Sequence, residues 1–422
     1  MKPASTADKP PREVLRCLWL AREIPLPLNT GDRTYTAQLS KALAAAGASV
    51  TFMGFSTSAA SSQSAAEAFE NGIHWIIIPG RPNPTVVALA SSLPLVAARF
   101  GTSNYAHCLK ATLRATDFDV IILDHYAMVW AIKHITKNGR GRSSRVVYIA
   151  HNFEADLAAD TARDYRGNPF RRAALQANAR KIRNAERKLA QAADIIVTLT
   201  TEDAERLTRL SPLSAKLVLP PGYSGVHMTD RQITPSTPRR VAIVGAFRWI
   251  PKQMNLSAFL EVADPILQSA GVGLDIVGEG PDLFRMSWEA RANATRFHGF
   301  VNDLGQFLAE RRMGLVVEQT GGGFKLKILD YIFNRTPIAA IKDSMAGLPL
   351  LHGLDYLSFD SMRGLAEGVA AAVDDIQRLN FMQRAAYDKC EKAFDWSQRG
   401  ETLCDALRQT LHRQSNLPHG VL

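Results

Sequence analysis

The chain has 422 residues, 46% of them apolar and 21% charged, and a formal net charge of +10. That length exceeds what one hydrophobic core serves, so two domains are expected, and the composition excludes wholesale disorder. Four cysteines, Cys17, Cys108, Cys390 and Cys404, show no Cys-x2-Cys spacing, which argues against a zinc site or disulfide framework and for a reducing compartment.

From the start of the chain, Met1 to Arg12 is polar and rich in Pro and Lys, with no signal-peptide pattern after it. Val14–Leu20 reads as a buried strand, followed by the loop Pro25–Gly31. Asp32–Ala46 carries Tyr35, Leu39, Ala42, Leu43 and Ala46 at helical spacing and stops at Gly47. Further strands are expected at Val50–Phe55, Ile73–Ile78, Val120–Leu123, Val146–Ala150 and Ile195–Thr198, with helices between most of them. Ser56–Ala68, rich in Ala and Ser, reads as a surface loop and a helix start. Val86–Ala98 is apolar but broken by Ser91, Ser92 and Pro94, and falls short of the ~20 residues that span a bilayer. The chain is therefore expected to be cytoplasmic, soluble or peripheral on a membrane.

Five prolines between Ser211 and Pro238 mark a strand and then an interdomain linker. A second series follows, with strands at Val241–Val244, Gly273–Val277, Thr295–Phe297, Gly314–Val317 and Thr336–Ala340. Its helices fall near Met254–Leu267, Leu304–Arg311, Leu326–Phe333 and Met362–Val373, and a last helix near Gly400–His412. Short apolar strands alternating with helices predict α/β domains with parallel, doubly wound sheets. The expected division is 1–232, 233–395, and a tail at 396–422 that can pack back on the first domain.

Chemistry collects where strands end. Gly245-Ala-Phe-Arg248-Trp-Ile-Pro-Lys252 leaves a strand on a glycine, with two cations suited to a diphosphate; its bland alternative is a solvated joint. Gly321-Gly322-Gly323-Phe-Lys325-Leu-Lys327-Ile-Leu-Asp330 offers backbone N–H groups and lysines for an anion, with Asp330 placed to accept from ribose hydroxyls. His151, after Val146–Ala150, and Asp124-His125, after Val120–Leu123, stand at the carboxyl edge, where ligands bind in such sheets. Gly31 opens a helix where phosphate could approach, and Asp32 reads as that helix's cap. Nine cations against two acids between Arg163 and Lys188 give either a solvated face or a surface for anionic lipid. The run lacks the aromatic interleaving of a nucleic-acid binder, so nucleic acid is not an expected partner. No motif for a bound metal is visible.

In order, Trp19–Pro25 with Gly31-Asp32-Arg33, Leu219-Pro-Pro-Gly-Tyr223, Val244–Trp249 with Asn255, Leu274–Gly280, Phe297–Val301, Gly321–Asp330 and Phe394-Asp-Trp396 resemble the motifs of the retaining GT-B glycosyltransferases of family 4, notably the bacterial polysaccharide and cell-envelope members. The resemblance implies two Rossmann-like domains facing each other across a cleft. It implies transfer of a sugar from a nucleoside diphosphate sugar to a lipid-linked or glycan acceptor, with retention and no metal cofactor. By the same likeness Asp330 stands at the ribose. Lys327, Gly321–Gly323, Arg248 and Lys252 fall near the diphosphate, His151 near the transferred sugar and Val301 near the base. The chain departs from the pattern in two places: Asp330 replaces the usual Glu, and Gly322 stands where many members carry the first carboxylate of a pair. A nucleotide-sugar epimerase or hydrolase and a non-catalytic paralogue remain the competing readings.

Overall fold

The computed structural model describes residues 14–415 apart from 29, 59–62, 65, 68, 70, 71, 136–143 and 319–322. The expectations for Met1–Arg12, for much of Ser56–Ala68, and for Gly321 and Gly322 lie outside the described residues.

The first sheet has seven parallel strands in the order β3-β2-β1-β4-β5-β6-β7. These are β1 Leu15–Glu23, β2 Ala48–Ser56, β3 Ile73–Pro79, β4 Val120–Asp124, β5 Arg145–Ala150, β6 Ile195–Thr198 and β7 Ala215–Val218. The second has six in the order β10-β9-β8-β11-β12-β13: β8 Arg240–Val244, β9 Gly273–Val277, β10 Thr295–Gly299, β11 Met313–Val316, β12 Ile338–Ile341 and β13 Leu357–Phe359. Both sheets are covered by helices on both faces, which explains the continuous apolar runs of the central strands. Along β1, Cys17 and Trp19 pack with Val50, Phe52 and Ile122 on one face, while Leu18 and Leu20 pack with Ile121 and Leu123 on the other.

Strand order reverses between β1 and β4 and again between β8 and β11. A crevice opens at the carboxyl ends of strands at such switch points, and this is where ligands bind in open α/β sheets. The loops that end β1, β4, β8 and β11 carry the motifs named above.

Several boundaries moved for local reasons. β1 continues to Glu23 through a register irregularity against β2, which carries Arg22 and Glu23 to the crevice. β12 starts at Ile338 rather than Thr336, because the Thr336 N–H returns to the Tyr331 carbonyl and Pro337 has no N–H. The basic run between Arg163 and Lys188 falls largely on one helix, which starts at Pro169. Asn168 caps it, accepting from the N–H groups of Phe170 and Arg171, and Pro169 takes the first helical position. The helices Glu154–Asp164 and Ile376–Cys390 and the edge strand β13 were not singled out from the sequence.

The last helix spans Trp396–Ser415, four residues earlier at its start than the spacing suggested. It lies against the first domain's helix Gly31–Ala45. Gly400 is the crossing point, where a Cβ would stand 2.1 Å from the Ala42 carbonyl oxygen. Tyr223 N–H donates to the Phe394 carbonyl at 2.9 Å, and Trp396 meets Tyr35 edge-on at 5.7 Å. The linker is fastened to the second domain: the buried Arg231 guanidinium donates to the carbonyls of Ala309, Arg311 and Arg335. Among the described residues no helix is long and apolar enough to cross a membrane.

Candidate functional site

In the first domain the site is built on the ends of β4 and β5. These strands pair Asp124 with Ile149, so a residue just past the end of β5 reaches back to Asp124. That residue is His151, whose Nε2 lies 2.5 Å from Asp124 Oδ1. The other carboxylate oxygen accepts from Trp19 Nε1 at 2.9 Å and Thr36 Oγ1 at 2.7 Å. Burial opposes charge on both groups, but the ion pair prevails. His151 is held above the ordinary imidazole pKa by Asp124, and Asp124 below the ordinary carboxylate pKa by His151.

His125 is a different case. Its backbone is left-handed, with φ 75. Its Nδ1 accepts from the Ala127 N–H at 3.2 Å and its Nε2 faces Glu154 at 3.7 Å, so both ring nitrogens are occupied. Burial lowers its pKa, which favours the neutral ring. Glu186 then holds the loop in place. This buried carboxylate, on the helix Pro169–Ala192, accepts from the N–H groups of Glu154 and Ala155 at 2.9 and 2.8 Å, and burial beside Glu154 pushes its pKa up to about 8.

A pocket in front of His151 is lined by Arg22, Glu23, Asp32, Arg33, Asp124 and His125 among others. Asp32 does not cap its helix, contrary to the expectation. The cap position is Thr30, without a side-chain cap bond, while the Asp32 carboxylate turns to Arg22 at 2.5 Å. The guanidinium outweighs burial and keeps Asp32 well below the usual carboxylate range.

The second domain contributes a lysine cluster around a single carboxylate. Glu318, at the carboxyl end of β11, accepts from Lys327 Nζ through Oε1 at 2.6 Å; their side chains are 10% and 8% exposed. Its Oε2 is buried and has no hydrogen-bond partner among the described residues. Burial would raise the Glu318 pKa, but Lys327, Lys252 and Lys325 together hold it low. Lys252 and Lys325 have lowered pKa values, first from burial and then from the neighbouring charges, Lys327 among them. Three cations against one carboxylate leave a positive surplus in a low-dielectric place, which suits an anion.

The two halves touch at the motifs. At Gly323, with φ +74, a Cβ would stand 1.8 Å from Asn152 Oδ1 and 3.3 Å from the His151 carbonyl, so only glycine fits there without strain. A Cβ on Gly31 would come within 2.8 Å of Leu326 Cδ1, so this glycine meets the second domain's helix start. Asp330 receives a hydrogen bond from Tyr223 of the linker, and burial pushes its pKa up to about 6. Val301 is half-buried just beyond β10. Gly245 has its N–H committed to the Val277 carbonyl, and its own carbonyl presses on Gly278, so it serves close packing.

Arg248 is not brought to the lysines. It is 75% exposed and paired at 2.8 Å with Glu279, itself 56% exposed. Exposed pairs contribute ~0–1 kcal/mol. Arg248→Ala is therefore expected to leave the melting temperature unchanged and to lower kcat/KM by no more than about threefold. A loss comparable to that of a lysine variant would show that Arg248 swings into the crevice.

Sequence reasoning missed Glu318, Arg22 and Glu186. Only Glu318 left a signal, a carboxylate immediately after the apolar run Gly314–Val317 at a switch-point strand. Among the described residues no group of three or more His, Cys, Asp and Glu side chains could hold a metal ion.

Two doubly wound parallel sheets, with a basic cluster on one meeting a histidine pocket on the other, define the GT-B class. Comparison with known proteins agrees. Residues 30–222 match the glycosyl transferase 4-like domain and residues 238–375 the glycosyl transferases group 1 domain. The chain belongs to the GT-B glycosyltransferases and is a sugar-transferring enzyme. Sucrose-phosphate synthase from Thermosynechococcus elongatus has a similar fold, with TM-score 0.67 and 14% identity over 94% of this chain and 100% of that one. The pneumococcal O-GlcNAc transferase GtfA, in complex with UDP and GlcNAc, gives 0.64 and 12% over 94% and 99%. The lipopolysaccharide outer core galactosyltransferase WaaB gives 0.61 and 12% over 94% and 100%. No curated protein matches the chain by sequence.

Proposed function

We propose that the enzyme takes its sugar from a nucleoside diphosphate sugar and passes it to a lipid-linked or glycan acceptor, with retention at the anomeric carbon. The lysine cluster beside His151 carries this reading. Lys252, Lys325 and Lys327, with the backbone N–H of Gly323, receive the pyrophosphate. Asp330, exchanging Tyr223 for the ribose, and Val301 hold the nucleoside. Glu318 Oε2, buried and without a partner among the described residues, accepts a hydrogen bond from a hydroxyl of the donor sugar. It thereby supplies the carboxylate absent at Gly322. The acceptor enters the pocket in front of His151.

In the reaction the bond between the anomeric carbon and the leaving phosphate oxygen breaks, and its electron pair stays on the diphosphate. The lysines stabilise that developing charge where water is excluded, and no metal is needed for it. Retention is supported by the state of the histidines. His151 is ion-paired with Asp124, which raises its pKa against burial, and both nitrogens of His125 are engaged, so neither stands as a free imidazole base. The acceptor hydroxyl proton passes instead to the departing phosphate oxygen. HepE of Anabaena, a structural neighbour with TM-score 0.61, was solved in complex with UDP-glucose, which supports a donor of this class.

A thermal-shift panel of UDP, GDP and their sugars tests the proposal. The preferred donor at a hundredfold its dissociation constant should stabilise the protein by about 2.7 kcal/mol. NMR of the product anomeric proton then reports retention. No shift with any nucleotide sugar would sink the reading.

A further inference from the structure

The helix Pro169–Ala192 extends well beyond the site. Glu186 lies level with the carboxyl edge of β5, because it accepts the N–H groups of Glu154 and Ala155. Phe170 is sixteen residues nearer the start of the same helix, about 24 Å further out at 1.5 Å per residue. The chain runs from that end back towards β6, so the free end projects past the carboxyl edge, on the side where the crevice opens.

This end is apolar and cationic together. Residues 169–174 are all exposed, and Phe170 is 85% exposed. Arg166 and Arg171 flank it, both exposed. Further along the flank of the same basic helix lies the short helix Thr85–Ala90, where Lys181 Nζ donates to the Leu89 carbonyl at 3.1 Å; Asn178 Oδ1 accepts at 2.8 Å from the N–H of Leu95, which opens the next helix. That short helix leaves Val86 80% and Val87 61% exposed. Apolar side chains this bare, beside uncompensated arginines, match the chemistry of a bilayer's boundary: acyl chains for the apolar groups, phosphates for the cations.

We infer that this end of the first domain docks on an anionic phospholipid surface, with Phe170, Val86 and Val87 entering the head-group boundary and Arg166 and Arg171 facing the phosphates. The inference gives the proposed lipid-linked acceptor a route to the pocket, but its test needs neither donor nor acceptor. The full chain is pelleted with vesicles of phosphatidylcholine alone and of phosphatidylcholine mixed with phosphatidylglycerol. Binding is expected only to the mixture. Arg166→Ala with Arg171→Ala should weaken it about thirtyfold. Phe170→Ser with Val86→Ser and Val87→Ser should weaken it about tenfold, with unchanged melting and nucleotide shifts, since all three side chains are already in solvent. Equal pelleting with both vesicle types, wild-type pelleting of either variant, or binding to duplex DNA but not to the anionic vesicles at the same salt would overturn it. Vesicle binding by a protein that ignores every nucleotide sugar would uphold the surface and refute the donor reading alone.

Discussion

Lys327→Met should lower turnover by about two to three orders of magnitude, the size of effect seen when a donor aimed at developing charge is removed. It should also destabilise the fold by about 3 kcal/mol, because it strands the buried Glu318 carboxylate. The two effects can be separated. Adding Glu318→Gln removes the stranded charge, so the double variant should recover most of the lost melting temperature. It should not recover turnover, because the cation that meets the leaving diphosphate and the carboxylate that meets the donor sugar are then both missing. Melting curves and release of nucleoside diphosphate from the donor chosen by the panel provide the two measurements. A double variant that turns over near the wild-type rate would remove Lys327 from the leaving group and leave it a purely structural ion pair.

Asp124→Asn should cost about 3 kcal/mol of stability and about a hundredfold in kcat/KM at neutral pH. The asparagine brings no negative charge, so burial would then lower the His151 pKa with Asp32 as the remaining opposing charge. The pH dependence follows from the pair. His151 has a folded pKa above its ordinary 6.5, so its contribution is complete below 6.5 and is lost as pH rises through the folded value. Asp124 has a folded pKa below its ordinary 3.8, so its contribution is present above 3.8 and is lost as pH falls through the folded value. The gap in stability between wild type and variant should thus be widest between 3.8 and 6.5, and narrow on the alkaline side. The alkaline limb of kcat/KM should move to lower pH in the variant. A limb that stays in place would mean the charge on His151 is not required.

Much of this was legible because parallel strands buried on both faces leave continuous apolar runs, and β4, β5 and β6 were found from those runs alone. The glycine turn and its lysines were equally visible, since glycine and cations at a strand end have few other uses. The partners were less accessible. Asp124 stands next to His125 in the chain, yet its ion pair is with His151, and only the register of β4 against β5 makes it so. Asp32 resembled a cap by position, but the extra residues of β1 bring Arg22 to claim it. Arg248 resembled a diphosphate ligand, but Glu279, at the end of the neighbouring strand, holds it in solvent.

By itself, then, the order of residues determined two tandem α/β domains and the loops that would carry chemistry, because periodicity and strand-end composition are local properties. The tertiary structure decided which charges face one another. Glu318 with Lys252, His151 on Asp124 and Gly323 against Asn152 are contacts between segments remote in sequence or in different domains. Electrostatic energy depends on distance and burial, and neither is written in sequence spacing.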